Sequence, residues 1–231
     1  MISVPFYFLN LLNLTTPLGQ PPSVLMIFVP LAVALGMRYR EQGIGGIKDL
    51  VRPFATGQGR WLLFSLLVIP TLVAAMYAIS LLMGLTDTGG TMLPVSSVLF
   101  SLGLYFLGAI PEEVGWTMYA SEPLTERYGP LLAGFIIGLV WGLWHVVPYL
   151  SAGRDWGWIA AQVGISVVLR MIMVQVFVRT RGSLLPALII HASVNLYPDM
   201  LPGGLDSYHP AVLAPLLLIA LVAMRPLVTA R

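Results

Sequence analysis

The sequence has no cysteine and few charged residues. Without cysteine among its 231 residues, disulfide bonds, thiolate metal sites and a cysteine nucleophile are excluded. Charged residues make up 10% of the chain, whereas a soluble domain carries roughly 25%. The 12 basic and 10 acidic side chains nearly cancel, so the sequence offers no strongly basic face for a nucleic acid. These shortages exclude an ordinary soluble enzyme, a disordered protein and a nucleic-acid-binding protein.

What the sequence has instead is a series of long apolar runs. Hydrophobic residues make up 58% of the chain, and a helix needs about 20 mostly apolar residues to cross a bilayer. The runs are continuously apolar rather than alternating, which favours helices over membrane-spanning strands. We therefore expect one integral membrane domain over residues 1–231, an all-α bundle of about seven or eight spans in a lipid bilayer. The predicted spans are 61–84, 92–120, 129–150, 157–178 and 210–224, with shorter ones at 22–37 and 183–197.

The positions of the basic residues predict the orientation of the bundle. Cytoplasmic loops of membrane proteins carry an excess of Lys and Arg. The polar stretch 38–60 is Gly-rich and short enough to be a loop with an interfacial helix. If it is cytoplasmic, 10 of the 12 basic residues fall on that side, together with the C-terminus. Only Arg154 falls outside, and Arg170 lies within a predicted span. This agreement supports the number of spans as well as their direction.

Two adjacent glutamates, Glu112 and Glu113, lie inside the predicted span 92–120. An ionisable side chain in the bilayer interior costs at least about 2.5–3.5 kcal/mol, so such residues usually face a cavity or one another. The two side chains point about 100° apart on a helix and can therefore have different roles. Thr117 shares a face with Glu113, and Arg170 is the remaining charge within a span. Packing alone does not explain the glutamate pair, which predicts a functional site.

Two histidines and an asparagine add further polar groups to the predicted spans. His191 and Asn195 are four residues apart and share a helix face, whereas His145 lies on another helix. A carboxylate can take a proton from water with the help of one histidine, while a second histidine and an amide stabilise an oxyanion. Glu112, His145 and His191 could instead bind zinc, although no His-Glu-x-x-His motif is present. The residues alone thus indicate a hydrolytic or ion-handling site. Each histidine taken singly is compatible with a structural role, and the nearby Trp141 is expected to be a core or interface residue.

Three motifs in order resemble those of the CAAX protease and bacteriocin-processing family of intramembrane proteases. This family, also called Abi or CPBP, includes the Ras-converting CAAX endopeptidase. The motifs are EEVGW at 112–116, WGLWH at 141–145, and GSLLPA at 182–187 leading to HASVN at 191–195. Any one of them is a weak signal, but their order on successive apolar segments is specific. The resemblance covers about residues 95–200, which we take as the catalytic core.

The resemblance implies an active-site cavity within the membrane and hydrolysis of a peptide bond in a membrane-associated protein or peptide. It makes Glu112 the general base, His145 its partner, and His191 and Asn195 the oxyanion-stabilising pair. Glu113 becomes the supporting glutamate. It favours a metal-free mechanism without a cofactor, with zinc as the alternative, in a bacterial or archaeal cell membrane. The substrate and the oligomeric state stay open, because a fold does not determine them.

The first motif departs from the family pattern at one position. The family usually has Arg five residues after the first glutamate, where this chain has Thr117. A threonine cannot supply a charge, so the alternative is a weak or inactive member that acts as an immunity or scaffold membrane protein. We expect Arg170 either to replace the missing cation or to extend to the cytoplasmic surface. A small transporter is a third, weaker interpretation, because no internal repeat is visible.

Overall fold

Helices account for the regular structure in the part of the chain that the computed structural model describes, residues 3–12, 14–16, 21–50 and 59–224. The all-α prediction is confirmed for these residues. A π-helical segment, Val114–Ala120, joins α4 to α5, and 3₁₀ segments, Pro22–Phe28 and Gly204–Ser207, precede α2 and α9. The α-helices are α1 Val4–Leu11, α2 Val29–Leu50, α3 Gly59–Leu82, α4 Val95–Glu113, α5 Ser121–Trp144, α6 Val146–Ser151, α7 Trp156–Arg179, α8 Leu185–Met200 and α9 Pro210–Ala223.

Four helical stretches among the described residues are long and apolar enough to cross a membrane. They are 22–48, 59–82, 95–151 and 156–179. The third is 57 residues long, or about 85 Å along its path, so it exceeds a single crossing. It contains the predicted span 129–150 and all but the first three residues of the predicted span 92–120. The chain is therefore an integral membrane protein. The count of seven or eight spans and the orientation stay predictions, since α8 and α9 have only 16 and 14 residues.

The polar stretch 38–60 is helical where the structure describes it. Helix α2 continues to Leu50, beyond the predicted span 22–37, and residues 51–58 of the expected loop with an interfacial helix lie outside the described residues. The physical reason is that the polar residues after position 37 include good helix formers such as Arg, Glu and Gln. The helix breaks only at Gly43, whose φ of 63° suits a residue without a Cβ.

The polar part of α2 packs against the start of α5 and the π-helical segment. Arg38 forms an ion pair with Glu122 and lies 3.7 Å from the carboxylate of Glu41. The hydroxyl of Tyr119 donates a hydrogen bond of 2.8 Å to Glu41. The Arg38 guanidinium lies over the ring of Tyr119. These contacts connect α2 to the segment that follows the two glutamates.

Helices α5 and α7 approach each other along a stripe of glycines, Gly134, Gly138 and Gly142. A Cβ on Gly138 would lie 2.6 Å from the Cα of Val167, which real Cβ atoms do not tolerate. Small residues at this spacing let helix backbones come close in membranes. The stripe therefore sets the distance between α5, which leads to His145, and α7, which carries Arg170.

Replacing Gly138 with alanine tests this close packing. The Gly138→Ala variant should lower the free energy of unfolding by about 1–3 kcal/mol, because its methyl group meets the α7 backbone. Thermal unfolding of the purified chain in detergent measures the change as a lower Tm. Gly164→Ala on α7 is the matched control, since a Cβ there meets nothing within 4 Å. Equal Tm values for the two variants would refute the close contact.

Candidate active site

The two glutamates lie at the end of α4, immediately before the π-helical segment. Glu112 is 5% exposed and Glu113 is fully buried. Single π-helical turns occur frequently at functional sites because they re-aim the side chains around them. The segment packs directly on α2, since a Cβ on Gly115 would lie 2.4 Å from the Cβ of Pro30. The segment that follows the two glutamates is therefore held in place by its packing on α2.

Glu113 is paired at both of its carboxylate oxygens. Its Oε2 accepts hydrogen bonds from Arg170 Nη1 at 2.7 Å and from Thr117 Oγ1 at 2.5 Å. Its Oε1 lies 2.7 Å from His191 Nδ1. Arg170 Nη1 also donates to Thr117 Oγ1 at 3.2 Å. Side chains from three helical segments outside α4 thus contact this one carboxylate. The segments are the π-helical segment, α7 and α8.

The structure places Arg170 against Glu113 and not at the cytoplasmic surface. Its side chain is fully buried, and the guanidinium carbon lies 4.1 Å from the centre of the Trp141 ring. Nε and Nη2 have no hydrogen-bond partner among the described residues. The aromatic face therefore provides much of the environment of this cation.

Glu112 has a different environment from its neighbour. Its Oε2 accepts a hydrogen bond of 2.8 Å from Trp141 Nε1, and in the described part of the chain its Oε1 has no such partner. Glu112 has no ion pair with Arg170, which contacts Glu113 instead. The two adjacent carboxylates are thus one fully paired group and one with a free oxygen.

His145 lies where α5 ends, and its hydrogen bond determines which ring nitrogen is available. Its Nδ1 lies 2.8 Å from the carbonyl oxygen of Trp141, so Nδ1 carries the hydrogen and donates it. Nε2 of the neutral ring then keeps its lone pair. The His145 ring stacks on the Tyr149 ring, with 5.7 Å between their centroids, and lies edge-to-face with the Trp144 ring, with 4.9 Å between centroids.

His191 and Asn195 share a face of α8 but differ in exposure. His191 is 2% exposed and meets the Trp141 ring at 5.3 Å between centroids. Asn195 is exposed, and the described residues offer its amide no hydrogen bond. The geometry thus leaves the amide of Asn195 free, while Nδ1 of His191 is engaged by Glu113.

The alternative zinc ligands are not arranged around a common point. Among the described residues no group of three or more His, Asp or Glu side chains could hold a metal ion. Of the set Glu112, His145 and His191, each histidine directs its Nδ1 to a different protein group.

The part of the chain that carries these site residues is also similar to known proteins. Residues 94–197 match the family model described as type II CAAX prenyl endopeptidase Rce1-like. Over these residues the chain is similar to the CAAX protease family. A relative, CAAX prenyl protease 2 of Methanococcus maripaludis, is 28% identical over 109 residues. That alignment covers 43% of this chain and only 40% of the relative.

Trp141 is the residue of this site that the sequence reasoning missed. Its indole contacts Glu112, Arg170 and both histidines, and its carbonyl accepts from His145. A signal was present, because Trp141 lies four residues before His145 and so on the same helix face. The prediction that Trp141 is a core residue is also confirmed, since its side chain is 6% exposed.

Removing the buried cation should destabilise the protein. In the Arg170→Ala variant Glu113 keeps its charge without a cation, which costs about 3–5 kcal/mol, whereas Arg170→Lys should cost less. Thermal unfolding in detergent measures both, with the exposed Arg127→Ala as control. Adding Glu113→Gln to Arg170→Ala removes the uncompensated charge and should restore part of the Tm. An unchanged Tm in both Arg170 variants would contradict the ion pair.

Proposed function

We propose that the chain is an intramembrane endopeptidase in which Glu112 activates the attacking water. The observation that carries this proposal is the contrast between the two glutamates. Glu113 is paired at both oxygens, whereas Glu112 keeps one oxygen without a partner among the described residues. A general base needs an oxygen that is free to accept a proton from water, and of the two glutamates Glu112 has an oxygen without a hydrogen-bond partner among the described residues.

The proposed reaction follows from this division of roles. Glu112 takes a proton from water as the water oxygen bonds to the carbonyl carbon of the substrate peptide. His145 offers Nε2 to the water or to the proton in transit, because its Nδ1 is held by the Trp141 carbonyl. When the tetrahedral intermediate collapses, the carbon–nitrogen bond breaks and the proton on Glu112 passes to the departing amine.

His191 and Asn195 would stabilise the negative oxygen of that intermediate. The Asn195 amide is exposed and can donate without losing another bond. His191 directs Nδ1 at Glu113, so donation from its Nε2 requires the doubly protonated ring. The Glu113 carboxylate lies 2.7 Å from Nδ1 and holds the ring in this orientation. Glu113 therefore supports the oxyanion site and does not activate water.

The contacts of Thr117 support an active enzyme over a scaffold or immunity protein. Thr117 and Arg170 bind the same oxygen of Glu113. A cation thus reaches the glutamate pair from α7, although the motif itself has none. The loss of Arg from the motif therefore does not leave Glu113 without a counter-charge.

The substrate is proposed at the level of its chemical class. A membrane-associated protein or peptide suits a site built on apolar helices with buried polar groups. The relative is named a prenyl protease, so a prenylated peptide is the first substrate to assay. The proposal needs no cofactor, and measured activity with and without a chelator tests the zinc alternative.

Changing Glu112 to glutamine should abolish the proposed activity while leaving the fold intact. Loss of the general base should lower kcat by about 10²–10⁴-fold, because glutamine cannot take a proton. Cleavage of a fluorogenic prenylated peptide by the purified chain in lipid nanodiscs measures the rate.

The matched control is Glu126→Gln, which alters an exposed glutamate outside the site. Equal rates for Glu112→Gln and the native chain would refute the proposed role of Glu112. If the native chain cleaves no substrate, and both Glu112→Gln and Glu126→Gln keep the biological effect of the protein in cells, the scaffold or immunity function is correct instead.

A further inference from the structure

The indole of Trp141 lies at the centre of the polar cluster. Its ring is 5.3 Å from each of the rings of His145 and His191, in edge-to-face arrangements, and the Arg170 guanidinium lies over it. The ring is 6% exposed, so it is packed from several directions. The direction of its N–H group is therefore determined by packing.

That N–H group has a specific partner, unlike three other buried indole N–H groups in the described part of the chain. Trp141 Nε1 donates to Glu112 Oε2 at 2.8 Å. The indole nitrogens of Trp61, Trp116 and Trp158 are buried without a hydrogen-bond partner among the described residues. A tryptophan is not needed to fill space at position 141 alone, since phenylalanine also packs against histidine and arginine. The N–H group is the feature that tryptophan adds.

We propose that Trp141 is a positioning residue, which orients the Glu112 carboxylate through its indole N–H. The bond engages Oε2 and leaves Oε1 for a proton. Since the carbonyl of Trp141 also accepts from His145 Nδ1, one residue aligns Glu112 and selects the tautomer of His145.

The environment makes this hydrogen bond important for Glu112. The nearby cation pairs with Glu113, so no arginine or lysine contacts Glu112 in the described part of the chain. Glu112 itself is 5% exposed. Without the indole N–H, this buried carboxyl group would have no hydrogen-bond donor among the described residues, and nothing there would fix its direction.

The test compares two tryptophan variants of the purified full chain. Trp141→Phe removes the indole N–H that donates to Glu112. Trp61→Phe is the matched control, because it removes a buried indole whose N–H has no partner among the described residues.

If Trp141→Phe does not fold, benzothienylalanine at position 141 keeps the size and shape of the indole and lacks the N–H group. The same loss of kcat is expected for it, and a native kcat would be equally decisive against the inference.

The measurement is the rate of the proposed reaction, on which the inference rests. Trp141→Phe should lower kcat by about 10- to 100-fold, the effect of one hydrogen bond to a charged group, and change KM less than threefold. A structural defect would instead reduce the fraction of folded protein and would not lower kcat while leaving KM nearly unchanged. Native kcat in Trp141→Phe contradicts the inference, whereas native kcat in Glu112→Gln contradicts the proposed function.

Discussion

The structure depends most on the buried ion pair between Arg170 and Glu113. Each ion loses several kcal/mol of hydration free energy on burial, which only close pairing and further hydrogen bonds can offset. Thr117 and His191 supply those bonds, so the carboxylate connects α7, α8 and the π-helical segment to the end of α4. The demand of one buried charge for partners therefore determines how four helical segments meet.

This pairing also explains how adjacent glutamates can differ. Because Glu113 takes the cation, Glu112 is left with the weaker, neutral donor of Trp141 and a free oxygen. The arrangement requires α5 and α7 to be close, since Trp141 is on one helix and Arg170 on the other. The glycine stripe on α5 allows the two side chains to stack at 4.1 Å. Backbone packing thus contributes to the chemistry of the site.

The sequence predicts the helices and the polar residues better than their contacts. The apolar runs locate α3 and α7, and the cost of burying charge singles out Glu112, Glu113 and Arg170. Helix α2 ends at Leu50, beyond the predicted span 22–37, because apolar content marks where the membrane ends and not where a helix ends. The choice of Glu113 as the partner of Arg170, and the hydrogen bond of Trp141, depend on the relative rotation of separate helices. Helical periodicity within one segment cannot determine that rotation.

The position of the cation has a consequence for how the site is held together. An arginine within the first motif would contact the glutamates from its own helix, one turn away, and such pairs form without tertiary structure. In this chain Arg170 reaches Glu113 from α7, 57 residues away. The counter-charge is present only when the folded bundle brings Arg170 of α7 to the end of α4. Assembly of the bundle and charge balance at the glutamates are therefore one event, and a disturbance between these helices removes both.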